Sequence, residues 1–129
     1  MGLKLLVVDD SRFQLHQLEL TLSRLGCEVT ACLKPEDVLI ELEKSQFDCV
    51  FSDLLMPGLD GFELVGKIRE KYPKQVVVVL TANIQKTAQA KCDELGVNFF
   101  INKPPEADIL NEILQKITEG ASQNEDVAS

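Results

Sequence analysis

Residues 5–11 read Leu5-Leu6-Val7-Val8-Asp9-Asp10-Ser11: four apolar residues in succession, then two carboxylates and a hydroxyl. A short apolar run without alternation is a strand covered on both faces, and such strands belong to parallel sheets. Cys49 to Phe51, Val76 to Leu80 and Phe99 to Ile101 have the same character. Cys27, Val29, Ala31 and Leu33 instead fall on every second residue, as on a strand at a sheet edge. Helical periods lie between the runs. Phe13, Leu18, Leu22 and Leu25 mark the first, stopped by Gly26, and Val38, Leu39 and Leu42 the second, opened by Pro35. Phe62, Val65, Ile68 and Tyr72 mark the third, and Ile84, Ala88, Cys92 and Leu95 the fourth. Ile109, Ile113, Leu114 and Ile117 mark the last, opened by Pro104-Pro105. Strict alternation of five strands with five helices predicts an α/β fold, a doubly wound five-stranded parallel sheet with right-handed crossovers. The edge character of the second strand suits the order 2-1-3-4-5.

The chain has 129 residues and a net charge of -8. That length holds one domain, expected over residues 1–118, and the charge argues against nucleic acid or an anionic membrane surface as partner. From Thr118 the apolar period stops, so residues 119–129 are expected to be a disordered tail. No apolar run approaches the ~20 residues of a membrane span, and the first residues lack the features of a signal peptide. Cys27, Cys32, Cys49 and Cys92 form no Cys-x-x-Cys pair, and the one histidine, His16, has no second ligand type beside it. The cysteines read as reduced, buried small hydrophobes and the location as cytoplasmic.

In an open parallel sheet, chemistry gathers at the carboxyl ends of the strands. Strand one ends in Asp9-Asp10, strand three in Asp53, strand four in Thr81 and strand five in Lys103. Taken singly these residues are ordinary; Asp9-Asp10-Ser11 also suits the cap of the first helix. Together they place three carboxylates, a hydroxyl and an ammonium on one rim. Three crowded carboxylates call for a cation, and hard oxygen ligands with room for water suit Mg²⁺. Such a set matches phosphoryl transfer to a carboxylate.

Those residues resemble a known family. LLVVDDS at 5–11, SDLLMPGLDGFEL at 52–64, VLTA at 79–82 and NKPP at 102–105 are similar to the flavodoxin-like, CheY-like stand-alone receiver domains of two-component response regulators. The likeness covers roughly residues 3 to 117. It implies that Asp53 is the phospho-acceptor, charged by a sensor histidine kinase. It implies that Asp9, Asp10, Asp53 and the backbone carbonyl of Leu55 hold Mg²⁺. Thr81 and Lys103 would meet the phosphoryl oxygens, the Lys103-Pro104 bond would be cis, and Leu55 and Asn83 would tune hydrolysis.

Activation would draw Thr81 toward the phosphate and let Phe100 swing inward. Phe100 lies opposite Val97, Phe99 and Ile101 on the fifth strand, on the face shared with Asn98 and Asn102. The small apolar face of the fourth helix suggests weak anchoring. A downstream target or phosphatase is therefore expected on the face of helix four, strand five and helix five. The protein would be a signalling phosphoprotein, catalysing only its own phosphorylation and dephosphorylation, with its output on another chain. A chemotaxis role is the expectation, by fold-level analogy, and a phosphorelay intermediate passing the group to a phosphotransfer histidine is the alternative. A receiver-like docking module without phosphorylation also fits. A haloacid-dehalogenase-like phosphatase would need a second Asp two residues after the nucleophile, where this chain has Leu55.

Overall fold

A computed structural model describes residues 2–54, 61–82 and 85–128, with side chains up to residue 120. Leu55, Asn83 and Ile84, each named above, lie outside the described residues. The order is β1 (Lys4–Val8), α1 (Arg12–Arg24), β2 (Glu28–Cys32), α2 (Pro35–Lys44), β3 (Cys49–Asp53), α3 (Gly61–Lys71), β4 (Val77–Thr81), α4 (Lys86–Glu94), β5 (Phe99–Asn102) and α5 (Ala107–Ala128). All four strand pairings are parallel and the sheet order is β2-β1-β3-β4-β5.

Every residue of β3 and β4 is buried, as their unbroken apolar runs require, whereas β2 at the edge has one buried residue, Cys32. Successive side chains point to opposite faces, so the central strands feed two cores. Leu5, Val7, Phe51, Val78 and Leu80 pack with Leu15, Leu18 and Leu22 of α1 and Leu110, Ile113, Leu114 and Ile117 of α5. Leu6, Val8, Val50, Val77 and Val79 pack with Val38 and Leu42 of α2, Leu64, Val65 and Ile68 of α3, and Ala88 and Cys92 of α4. Two helices thus cover one face and three the other. The switch point where strand order reverses lies between β1 and β3.

The boundaries of α1 follow from local chemistry. Ser11 is the N-cap and its Oγ accepts from the Gln14 amide at 3.3 Å. At the other end Gly26 adopts φ +92°, and the Gly26 and Cys27 amides donate to the Ser23 and Leu22 carbonyls. The buried row of α1 is Leu15, Leu18 and Leu22, and Phe13 is 70% exposed. Phe13 precedes Leu15 by two residues, a turn of about 200° at 3.6 residues per turn, so it cannot share that face. Ile109 of α5 is likewise exposed, while Leu110 carries the contact. Val97 packs with the α2-α3-α4 core rather than with Phe99 and Ile101, because it precedes β5 and does not obey strand alternation. Helical backbone of α5 continues to Ala128, past Ile117, the last buried residue of its apolar row. The segment from residue 118 contains no proline to stop the helix.

Candidate functional site

Asp53 is the last residue of β3, Thr81 the last of β4, and Lys103 follows β5 directly. Asp9 and Asp10 follow β1, the neighbour of β3. Parallel pairing therefore sets these groups side by side at one end of the sheet. Asp53 pairs with Leu80 in register, and the Lys103 amide donates to the Thr81 carbonyl at 3.0 Å.

Asp9 and Asp53 are buried and Asp10 is exposed. One carboxylate oxygen from each lies within 4.8 Å of the others, close enough to share one cation. Asp9 uses both oxygens already: Oδ1 accepts from the Ser11 amide at 2.9 Å and Oδ2 from Lys103 Nζ at 2.6 Å. Lys103 Nζ also donates to Asp53 Oδ2 at 2.8 Å and to Gln14 Oε1. Burial pulls the Lys103 ammonium toward neutrality, but its hydrogen bonds and charge attraction to Asp53 and Asp9 win, and its pKa is held above 10.5. The ammonium offsets part of the charge of the two buried carboxylates.

Asp9, Asp53, Phe13, Gln14, Lys103 and Pro105 line a cleft of about 390 Å³ between α1 and the segment after β5. A larger, shallower depression of about 1240 Å³ lies around the amino ends of the strands, lined by Phe47, Tyr72 and Phe99, with Lys71 bound to Glu43. The strand-end groups Asp9, Asp53 and Lys103 meet in the smaller one. The donor set there fits a hard divalent cation: oxygen ligands, one of them exposed, with His16 on the solvent side of α1.

Thr81 is fully buried. Phe100 is half-buried and packs against the core that contains Ala88 and Cys92 of α4, so its face of β5 is apolar there and not the polar one expected from Asn98 and Asn102. Leu55 lies outside the described residues. The Lys103-Pro104 bond is cis.

Three further residues, two beside the site and one at the far end of the sheet, make contacts that were not assigned from the sequence. Gln14 is the third partner of Lys103. Gly61 opens α3 so close to the end of β3 that a Cβ there would lie 2.4 Å from Leu54 Cα and 2.5 Å from the Asp53 carbonyl oxygen. Arg69 closes the opposite end of the sheet, donating to the carbonyls of Pro73, Gln75 and Gly96 at 2.7–2.8 Å. Of these only Gly61 had a signal, a glycine at a helix start just after an acidic strand end.

Residues 5–115 match the sequence pattern of the response regulator receiver domain. The hybrid signal transduction histidine kinase L of Dictyostelium discoideum is 36% identical over 121 residues, and the sensor histidine kinase RcsC of Escherichia coli 30% over 122. These alignments take in 88% and 95% of this chain but 7% and 13% of the kinases, so the likeness is to one part of much longer proteins. The structure of Vibrio cholerae chemotaxis protein CheY4 superposes with a TM-score of 0.85 at 28% identity, covering 91% of this chain and 99% of that one. A CheY-like receiver domain from Methanospirillum hungatei gives 0.87 at 23% identity over 95% and 99% of the two chains, a likeness of fold. Strand order, strand-end residues and sequence pattern agree: the chain belongs to the response regulator receiver domain family.

Proposed function

We propose that the chain accepts a phosphoryl group on Asp53 from a phosphohistidine of a sensor kinase, in a Mg²⁺-dependent reaction, and signals through a change of shape. The observation that carries this reading is the single constellation of Asp9, Asp10, Asp53 and Lys103 at one end of the sheet. A carboxylate oxygen of Asp53 forms the O–P bond as the donor's N–P bond breaks, and the departing imidazole keeps the electron pair. Lys103, already on Asp53, meets the phosphoryl oxygens, and Thr81 reaches them from β4. Asp9, Asp10, Asp53 and the Leu55 carbonyl would hold the Mg²⁺, which when bound supplies positive charge against that of the phosphoryl group. Loss of the signal is hydrolysis: water forms the new bond to phosphorus and Asp53 leaves as the carboxylate. Turnover of other substrates is no part of this reading.

The donor is a protein because exposed apolar surface lies beside the acceptor. Phe13 and Pro105 line the same cleft as Asp53. Readout is assigned to α4, β5 and α5, with Thr81 and Phe100 as the moving parts. α4 is anchored by only Ala88 and Cys92 among its described residues, whereas α5 buries Leu110, Ile113, Leu114 and Ile117. Less buried apolar area means a helix more easily displaced, at ~25 cal/mol per Å². The setting is cytoplasmic; among the described residues no helix is long and apolar enough to cross a membrane. Handing the group on to a phosphotransfer histidine is the second reading, favoured over a chemotaxis target by the 36% identity to a hybrid kinase.

Intact mass after incubation with acetyl phosphate tests this. One phosphoryl adduct with Mg²⁺ and none with EDTA is expected. An adduct formed equally without divalent cation would refute the metal-dependent mechanism.

A further inference from the structure

An ammonium has three donors and no acceptor. On Lys103 all three are used: Asp9 Oδ2 follows β1, Asp53 Oδ2 ends β3, and Gln14 Oε1 sits in the first turn of α1. The backbone of Gln14 is itself fixed by the cap of that helix, its main-chain N–H donating to Ser11 Oγ. The three acceptors differ in kind. Two are carboxylates that the proposed chemistry recruits, Asp53 becoming an acyl phosphate and Asp9 a cation ligand. The third is a neutral amide oxygen that neither event consumes.

Resting on the reading of Asp53 as acceptor, we propose that Gln14 is a positioning residue that holds the Lys103 ammonium at the mouth of the site while its carboxylate partners change role. One N–H stays on α1. The others are then aimed at phosphoryl oxygens rather than drawn out to solvent. Without this anchor the ammonium would follow whichever charge is nearest, and less of its attraction would reach the transferring group. The same contact sets the lifetime of the phosphorylated state, because Lys103 faces the phosphoryl group in hydrolysis as well as in formation. Gln14 is exposed, so an apolar side chain there strands no buried group, and its loss falls on the chemistry rather than on folding.

The test compares the full chain with Gln14→Leu, the nearly isosteric Gln14→Met, Lys103→Met and the double variant Gln14→Leu/Lys103→Met. Phosphorylation by acetyl phosphate and spontaneous loss of the group are each timed. With one exposed hydrogen bond removed, both rates should fall about fivefold in Gln14→Leu and Gln14→Met, with unchanged unfolding midpoints. In the Lys103→Met background Gln14→Leu should have no further effect, since the two act as a unit. The Lys103 ammonium protons should also exchange faster with water in Gln14→Leu. Wild-type rates in both Gln14 variants, or the same fivefold loss in the Lys103→Met background, would overturn the inference while leaving Asp53 as acceptor. A wild-type chain that takes no phosphoryl group would overturn both.

Discussion

Replacing Gly61 by alanine adds one carbon at the most crowded point beside the site. That carbon would sit 2.4 Å from Leu54 Cα and 2.5 Å from the Asp53 carbonyl oxygen, where ordinary contact begins at 3.4 Å. Both obstacles are backbone, so no side chain can rotate away. The start of α3 and the end of β3 must separate by about 1 Å, the difference between these distances. Separation stretches the 3.1 Å bond from the Gly61 amide to the Leu54 carbonyl. Overpacking of this kind costs ~1–3 kcal/mol and a lost hydrogen bond ~1 kcal/mol, so ~2–4 kcal/mol in all. For a domain of this size that lowers the midpoint of thermal unfolding by roughly 10 °C. The displaced backbone carries Asp53, and a 1 Å misplacement of a reacting group can slow a reaction by about 10²-fold. Thermal and urea unfolding, with the rate of phosphorylation measured well below the midpoint, separate the two effects. Stability within ~0.5 kcal/mol of wild type together with a normal rate would refute the reasoning.

Arg69→Met removes the donor to three loop carbonyls; a loss of ~2 kcal/mol in urea unfolding is expected with the phosphorylation rate intact, since Arg69 is at the far end of the sheet. All four cysteines are buried, and burial, with smaller contributions from Asp37 and Glu41, pushes the Cys32 thiol up to about 11. A thiol reagent at pH 8 should leave them unmodified in the native chain and label four in denaturant; rapid native labelling of Cys32 would contradict its placement. Lys103 is raised above 10.5 in the folded state, so its stabilisation is fully present below the ordinary lysine value and lost as pH climbs past it. The stability gap between wild type and Lys103→Met should therefore be constant from pH 7 to 9 and close above pH 10.5; a gap unchanged at pH 11.5 would show that the ion pairs do not matter. The same variant removes a cation that competes for Asp9 and Asp53, and Mg²⁺ should bind at least about fivefold more tightly to it, as titration calorimetry would show.

The sheet order was legible because β1, β3 and β4 are unbroken apolar runs and β2 is not. Their carboxyl-end residues Asp9, Asp10, Asp53 and Thr81 then followed from the topology alone. What could not be read depended on which side of a helix meets the sheet. Phe13 and Ile109 are apolar, and only the packed structure puts Leu15 and Leu110 inward in their place. Gln14 was hidden for a different reason. Its partner Lys103 is 89 residues away, and nothing in a glutamine two residues after a basic one announces an ammonium ligand. Arg69 was equally silent, since its partners are backbone carbonyls, which every sequence supplies. Phe100 was assigned to the correct strand but to too polar a setting, because Asn98 lies before β5 and Asn102 at its very end.

The location of the phosphoryl group decides the central question. After phosphorylation with acetyl phosphate and Mg²⁺, borohydride reduces an aspartyl phosphate to homoserine, and peptide mass mapping then reports its position. Homoserine is expected at residue 53 alone, and none in Asp53→Asn. Homoserine at Asp9 or Asp10 in the wild type, or no reduced residue at all, would contradict Asp53 as the acceptor.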